Sequence, residues 1–314
     1  MNETNFRHRG RFAQTFIYLG KQLRMFIFQN DWKVLPMSAV ITGLVVFVVG
    51  ANLFYTQEGT LMGTFAMVCV CIWNGFFNSI QSVCREREIV KREHRAGLHI
   101  SSYIAAQMIY QFLLCLIQAI ITLLVFRVAK VRIPVQGILT PWGVLDLGIT
   151  LLLVTFTADM LAMMISCLVR STTTAMTVMP FLLIFQLVFS GVFFNLQGFA
   201  RKLRVLTISQ WGTNSLCAIG RYNELPMVTL WNTIFKFKDV EIMGSKPLLE
   251  LIIKTEEMGY RDRFLLWSGT YNQNSAFSCT VENLLRCWGW LALMILIFVL
   301  VSILVLRAID RDKR

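Results

Sequence analysis

The chain has 314 residues, of which 56 % are hydrophobic and only 15 % are charged, and its mean hydropathy is +0.60. Since a soluble domain carries about a quarter charged residues, this composition predicts a membrane protein with several spans. The net charge of +12 is typical of basic residues in short loops beside such spans. No basic patch interleaved with aromatic residues accompanies it, which excludes nucleic-acid binding.

The N-terminal region, residues 1–33, has no signal-peptide core and is predicted to contain an amphipathic helix at Phe12–Asp31. Phe12, Phe16 and Leu19 recur at steps of three and four, which is typical of a helix lying in the membrane interface. An ordinary helix packed on a soluble domain is the alternative. Polar side chains occupy the other faces of this helix: Arg11, Gln14, Lys21 and Gln22.

Six apolar segments are each long enough to cross the hydrocarbon core as a helix of about 20 residues. They are Val34–Tyr55, Leu61–Val83, Tyr103–Phe126, Trp142–Val169, Ala175–Leu196 and Cys287–Leu306. Residues 34–196 are therefore expected to hold five transmembrane helices. Residues 197–286 form a long connection, and residues 287–314 hold the sixth helix and a short tail. The predicted fold class is an all-α membrane protein.

A densely charged loop, residues 84–102, separates the second and third spans. Hydrocarbon excludes such charge density, so this loop is expected to lie in water or against another protein. Sixteen Lys and Arg residues fall in the N-terminal region, this loop, the fourth connection and the C-terminal tail, against three in the short loops of the other side. The positive-inside rule therefore predicts a protein of the cell membrane with both termini and loop 84–102 in the cytoplasm, and with residues 197–286 outside.

Several polar residues lie inside the predicted spans. Gln107, Gln111 and Gln118 share one helical face, and their amides need partners, so this face should meet another helix or a cavity. Asp159 is either functional or hydrogen-bonded to a neighbouring helix, and both readings stay open. Asp146 is expected to be an interface residue. The two aspartates lie about 20 Å apart along one helix, whereas a catalytic dyad needs about 3 Å.

No catalytic or metal-binding pattern is present. The chain lacks a Ser/His/Asp set, a zinc pattern, a phosphate loop and a nucleotide fingerprint. His8, His94 and His99 lie in basic stretches, where a solvated surface position is expected. The eight cysteines have no metal spacing, and the six that lie in or at the ends of apolar runs are expected to be small buried residues. Cys217 and Cys279 fall in the external connection, where a disulfide between them is one possibility.

The fifth span and the connection after it contain unusual local sequence. Val192 and Phe193 follow Gly191 in the segment Val188–Leu196, and bulky apolar residues there either form a constriction that gates by dewetting or simply face lipid and core. Leu206–Pro226 is too short and polar to span, which predicts a re-entrant or interfacial segment. The polar residues after it are expected to form a small external subdomain.

Taken together, these residues resemble the membrane domain of the G subfamily of ATP-binding-cassette transporters, the white type, over nearly the whole chain. The resemblance is most specific at Glu86-Arg87, Arg92-Glu93, Gly97 and Tyr103, which match the family's coupling helix. It implies that the first five of these residues dock on an ATPase. The family's next pattern has a Lys and an acidic residue one turn apart, where this chain has Gln107 and Gln111.

The same resemblance implies the path of the substrate. Val192 and Phe193 occupy the positions of an apolar plug between a central and an outer cavity, and the amphipathic helix matches the family's connecting helix. By analogy, side chains of the second and fifth spans line the substrate cavity: Trp73, Asn74, Phe77, Asn78, Gln186 and Phe189.

The resemblance also implies the partners. Relatives carry an ATPase domain before the connecting helix, but this sequence begins at Met1 and contains no phosphate loop. We therefore expect no cofactor in this chain, and a separate ATPase subunit that binds ATP and Mg, an arrangement typical of bacteria. A second permease subunit, identical or related, and membrane lipids are the other expected partners.

The sequence thus predicts the non-enzymatic permease subunit of an ATP-driven exporter. The expected substrate is a hydrophobic or amphipathic compound such as a lipid, a peptide or a drug-like molecule. The alternatives are a polysaccharide or glycolipid exporter of the same plan, and a membrane scaffold or channel that works without ATP.

Overall fold

The computed structural model describes residues 10–28, 31–194, 196–241 and 245–311, so His8 and the other terminal residues lie outside it. All of the regular elements in these ranges are helices. The first seven are α1 Arg11–Phe28, α2 Val34–Val49, α3 Gln57–Ser79, α4 Ser82–Arg95, α5 Ile100–Val128, α6 Gly143–Leu168 and α7 Thr172–Val188. The remaining six are α8 Gly198–Leu203, α9 Ile208–Ile219, α10 Thr229–Lys236, α11 Pro247–Glu257, α12 Arg261–Thr270 and α13 Val281–Arg311.

Five helical segments among the described residues are long and apolar enough to cross a membrane, and they correspond to α2, α3 with α4, α5, α6 and α13. The all-α membrane fold class is therefore confirmed. The predicted fifth span, Ala175–Leu196, extends past the C-terminal end of the observed helix. Its helix, α7, has 17 residues, about 26 Å, and ends at Val188 because the backbone turns at Gly191, where φ is +74°.

Helices α3 and α6 form the centre of the bundle. Two-thirds of the most apolar stretch of each is buried, against 17 % for α2 and 22 % for α13. Val68, Phe76 and Val154 are completely buried in the core that α3 and α6 share. The outer faces of α2 and α13 leave large apolar side chains exposed, including Phe47 and Leu304. Those faces suit contact with lipid.

The two ends of the described chain lie on the same side of the bundle as the charged helix α4. Leu306, near the end of α13, belongs to one buried cluster with Val90 of α4, and α1 reaches α4 through a hydrogen bond from Tyr18 to Glu93. On the opposite side, the Glu58 carboxylate at the start of α3 accepts the backbone N–H of Thr229 at 2.7 Å. The loops there belong to the long connection after α7.

Helix α9 is inserted between α3, α6 and α13, at the position predicted for a re-entrant segment. Every residue of Ile208–Ile219 except Gln210 is buried, and the ring of Trp211 stacks on that of Trp290 at 5.2 Å. Cys217 and Cys279 are both free, so the possible disulfide is not formed. The Sγ of Cys217 instead lies 3.2 Å from Oγ1 of Thr64.

Asp146 is a buried residue in the first turn of α6, and its position at the membrane interface stays a prediction. Its side chain has no exposed surface. Its Oδ2 accepts the backbone N–H groups of Ile138 at 2.6 Å and Leu139 at 2.9 Å, and its Oδ1 accepts that of Thr140 at 3.1 Å. Three backbone donors satisfy the carboxylate inside the fold. This residue therefore fixes the turn that leads into α6.

Candidate functional site

The charged loop predicted at residues 84–102 is largely a helix, α4, and Gly97 ends it. The N–H of Gly97 donates to the carbonyl of His94, and that of Leu98 donates to the carbonyl of Glu93, both at 3.0 Å. This is the Schellman pattern, in which the residue after the helix adopts a left-handed conformation. Gly97 has φ +104°, which favours glycine. Gly97, one of the predicted docking residues, therefore has a structural role, because it ends α4.

Helix α4 has one buried face and one exposed face. Val83, Glu86, Arg87 and Val90 are buried in the bundle. The exposed side chains recur at steps of three and four along the opposite side, and we call them the docking face: Arg85, Glu88, Ile89, Arg92 and Arg95. Of the five residues predicted to couple to an ATPase, only Arg92 lies on the docking face.

The buried Glu86 carboxylate joins α4 to α1 and α5. Its Oε1 lies 3.4 Å from Nζ of Lys21. Its Oε2 accepts the side-chain amide of Gln22 at 3.4 Å and the hydroxyl of Tyr103 at 3.3 Å. Since a buried carboxylate needs a charge partner and donors, this arrangement explains why Glu86 points inward. Gln107 donates its amide to the same Tyr103 hydroxyl at 3.3 Å.

The start of α4 is bonded directly to the end of α6. The Oγ of Ser166 accepts the backbone N–H groups of Val83 at 3.1 Å and Cys84 at 3.0 Å, which would otherwise be unsatisfied at a helix start. Arg87 donates its Nη1 to the carbonyl of Val169, which directly follows α6. These contacts bond α4 directly to α6, one of the two central helices of the bundle.

Helix α1 is hydrogen-bonded to the C-terminal end of α4. Gln14 donates its amide to the carbonyl of Gly97 at 3.2 Å and accepts the N–H of His99 at 3.0 Å. Tyr18 donates its hydroxyl to Glu93, and burial together with that carboxylate raises the pKa of the Tyr18 phenol well above its usual value. Glu93 is thus an internal anchor. The sequence analysis missed Tyr18, although positions 14, 18 and 21 share a helical face.

The predicted plug residues lie in the turn after α7. Val192 is partly buried, and the half-exposed ring of Phe193 meets Phe65 of α3 edge to face at 5.1 Å. Arg204, which the sequence analysis missed, donates its Nε to the carbonyl of Ser190 at 3.0 Å. A Cβ on Gly191 would lie only 2.6 Å from that Nε. Arg204 and Gly191 therefore fix the turn that carries the predicted plug residues.

Arg204 holds this turn from a half-buried position. Partial burial lowers the pKa of the Arg204 guanidinium, and the nearby charge of Arg201 lowers it further. The hydrogen bond to Ser190 places a cation next to the last carbonyls of α7, where a positive charge is favourable.

The residues predicted to line a substrate cavity separate into two groups. Trp73 and Phe77 lie on the exposed face of α3, and their rings stack at 5.6 Å. Asn74 is buried, because it faces the interior of the bundle. Phe65, which meets the plug, precedes Trp73 by eight residues, about 12 Å along the helix. The exposed aromatic pair therefore lies on the α4 side of the plug.

Gln186 is buried, and its polar groups are bonded to the start of α9. It is 4 % exposed, and its Oε1 accepts the N–H groups of Ile208 at 2.8 Å and Ser209 at 3.2 Å. Ser209 returns a hydrogen bond from its Oγ to the Gln186 carbonyl at 2.6 Å. Gln186 thus accepts hydrogen bonds from backbone N–H groups that have no partner within α9 at its first turn. Phe189, one turn beyond it, is partly buried and stacks on Phe185 at 4.8 Å.

A family model for ABC-2 type transporters matches residues 14–216, well over half of the chain. The chain belongs to the ABC-2 type transporter family. A comparison with curated proteins found no match. The matched range runs from α1 into α9 and includes both α4 and the plug turn. Residues 14–216 therefore form a permease domain of an ATP-binding-cassette transporter, and ABC-2 permease domains, which are not themselves catalytic, work with ATPase subunits.

The glutamine face of this ABC-2 permease is directed at α3. Gln118 and Asn78 exchange hydrogen bonds of 2.9 and 3.0 Å between their side-chain amides, and Gln111 donates its amide to the carbonyl of Asn78 at 3.3 Å. Asp159 is completely buried and accepts a hydrogen bond from Cys115 Sγ at 3.3 Å. These contacts join α3, α5 and α6 by the hydrogen bonding that amides in a membrane require.

Proposed function

We propose that this permease is the membrane subunit of an exporter of hydrophobic or amphipathic compounds. It pairs with a second permease subunit, and a separate polypeptide supplies the ATPase with its ATP and Mg. The observation that carries the proposal is the construction of α4, which exposes a docking face on one side and is bonded on the other to α1 and α6. The proposal places the protein in a bacterial plasma membrane, with α4 and both chain ends in the cytoplasm.

The docking face favours an acidic partner surface. It carries Arg92 and Arg95 against the single carboxylate of Glu88, with Ile89 exposed at its centre, whereas Arg85 pairs with Asp31 at 3.7 Å. An apolar side chain surrounded by charges is the usual composition of a protein contact. Complementary charges across it would speed association and fix the register. The ATPase subunit is therefore expected to present carboxylates around a small apolar recess.

The buried face of α4 gives the coupling step a physical route. When ATP closes the ATPase subunits, the docking face moves with them. Arg87 and the Ser166 contact carry that displacement into α6, and Glu86 carries it into α1 through Lys21. Because a tightly packed core is hardly compressible, the central helices move as rigid bodies. The coupling we propose is therefore mechanical and needs no covalent step in this chain.

The exposed aromatic pair supports a hydrophobic or amphipathic substrate. Trp73 and Phe77 lie side by side on the exposed face of α3, which together with α6 is otherwise the most buried of the described candidate spans. A second subunit placed against this face would enclose an apolar cavity. Substrate leaving the cavity would pass the turn with Val192 and Phe193. Membership of the ABC-2 family disfavours the scaffold or channel that works without ATP.

The test is transport in proteoliposomes that contain the permease and its ATPase, with a fluorescent amphipathic compound as cargo. The proposal predicts cargo movement that requires ATP. A Val192→Ala/Phe193→Ala variant should leak cargo without ATP, whereas Phe199→Ala, an exposed phenylalanine of α8, should behave as the wild type. No ATP-dependent movement with a correctly assembled ATPase would overturn the exporter function. Equal leakage in all three proteins would overturn the plug.

A further inference from the structure

A polar cavity of about 160 Å³ lies beside the docking face, between α1, α2, α5 and the junction of α3 with α4. It adjoins the exposed face of α3, because Phe77, whose ring stacks on that of Trp73, is among its lining residues. Polar side chains dominate its wall: Gln22, Asp31, Asn78, Arg85, Gln107 and Gln111. A polar wall of this kind in a membrane protein needs hydrogen-bonding contents.

One polar group in the wall lacks a partner. Gln111 is 1 % exposed, and its Nε2 donates to the backbone carbonyl of Asn78. Because a carbonyl only accepts hydrogen bonds, this contact fixes the orientation of the Gln111 amide. Its Oε1 then has no hydrogen-bond partner among the described residues. A buried acceptor without a partner points to a ligand that donates a hydrogen bond.

The charges in the wall define the rest of the ligand. Asp31 and Arg85 form a loose ion pair of 3.7 Å, with side chains 39 % and 48 % exposed, so a ligand can reach both. The other charged group in the wall, Glu86, is already balanced by Lys21. One accessible carboxylate and one accessible guanidinium match a zwitterion. A phosphate suits the guanidinium, and an ammonium group suits both the Asp31 carboxylate and the Gln111 carbonyl.

The position of the cavity identifies the source of such a ligand. Helix α1 forms part of the wall, and its apolar stripe with Phe12 and Phe16 is exposed. A helix of this type lies at the level of lipid headgroups. We propose that the cavity binds the phosphoethanolamine headgroup of a phospholipid in the leaflet next to α4. The cavity shares Phe77 with the proposed substrate face, so the test below measures lipid binding in the absence of transport.

The test compares thermal unfolding of the purified full-length permease in detergent after addition of phosphatidylethanolamine or phosphatidylcholine with the same acyl chains. The choline headgroup has no N–H donor. Phosphatidylethanolamine should raise the Tm several degrees above the value with phosphatidylcholine. Gln111→Leu should remove this difference. Thr122→Val, which removes a buried hydroxyl of the same helix outside the cavity, should retain it.

A second measurement does not depend on the folding of the variants. Native mass spectrometry of the wild type with an equimolar mixture of the two lipids should show preferential retention of phosphatidylethanolamine. Equal retention of both lipids, or a lipid preference that survives Gln111→Leu, would overturn the inference. Stabilisation by free phosphoethanolamine but not by the lipid would support the headgroup chemistry and overturn the lipid as its source.

Discussion

Replacement of the buried Glu86 by glutamine tests the anchor between α4 and the rest of the permease. The substitution keeps the size of the side chain but removes the charge that faces Lys21 at 3.4 Å. Breaking a buried ion pair costs about 3–5 kcal/mol. The Lys21 side chain is 33 % exposed and can turn toward water, which lowers the expected cost to about 2 kcal/mol. For a chain of 314 residues we expect the Tm to fall by about 3 °C.

The assay is thermal unfolding of the purified permease in detergent, followed by tryptophan fluorescence. Glu88→Gln is the matched control, because that side chain is 85 % exposed and its pair with Lys91 at 2.9 Å is worth at most about 1 kcal/mol. A Lys21→Met/Glu86→Gln variant should recover most of the loss, since it removes both charges together. A Glu86→Gln protein that melts with the wild type, or a double variant less stable than both single variants, would refute the anchor.

Three further predictions concern single contacts. Gly97→Ala should destabilise the permease by about 1–3 kcal/mol, because φ +104° strains any residue with a Cβ; an unchanged Tm would contradict the Schellman ending of α4. Above pH 10 the Tm of the wild type should fall more steeply with pH than that of Tyr18→Phe. The pKa of Tyr18 is raised in the folded protein, so the folded state keeps a phenol proton that the unfolded chain releases. Parallel pH profiles of the Tm for the two proteins would contradict this. Arg204→Gln should increase cargo leakage about tenfold, since it removes a charge-assisted hydrogen bond worth about 1.5 kcal/mol. The control Lys202→Gln should leak no more than the wild type. Equal leakage of the Arg204→Gln and Lys202→Gln proteins would show that the plug turn does not depend on Arg204.

The spans could be predicted from sequence because their composition alone decides them. A run of about 20 apolar residues has one stable arrangement in a bilayer. The end of α7 could not be predicted in this way. Apolar residues continue past Val188, and the helix ends because Gly191 turns the backbone and Arg204 holds it. The backbone conformation of Gly191 and the hydrogen bond of Arg204 arise only in the folded chain, and a hydropathy profile does not report them.

The orientation of individual side chains inside the spans was harder to predict. A helix that is apolar on all sides has no periodicity to distinguish its faces, so the resemblance grouped the exposed Trp73 with the buried Asn74. In α4 the information was present but unused. Val83 and Val90 lie seven residues apart, on one face, and their spacing indicates that Glu86 and Arg87 share that buried face.

The docking face of α4 offers the most direct test of the central claim that this face couples the permease to an ATPase. The measurement is the Kd of the ATPase subunit for permease in proteoliposomes, comparing the wild type with Arg92→Glu/Arg95→Glu. Arg127→Glu/Arg132→Glu, which reverses two exposed charges at the other side of the bundle, is the control.

The account predicts that reversal of the two docking-face charges weakens binding about a hundredfold, as two like-charge contacts with an acidic surface would require. ATP-dependent transport should fall with it, while the control binds and transports as the wild type does. An unchanged Kd for Arg92→Glu/Arg95→Glu, with transport intact, would contradict the coupling role of α4.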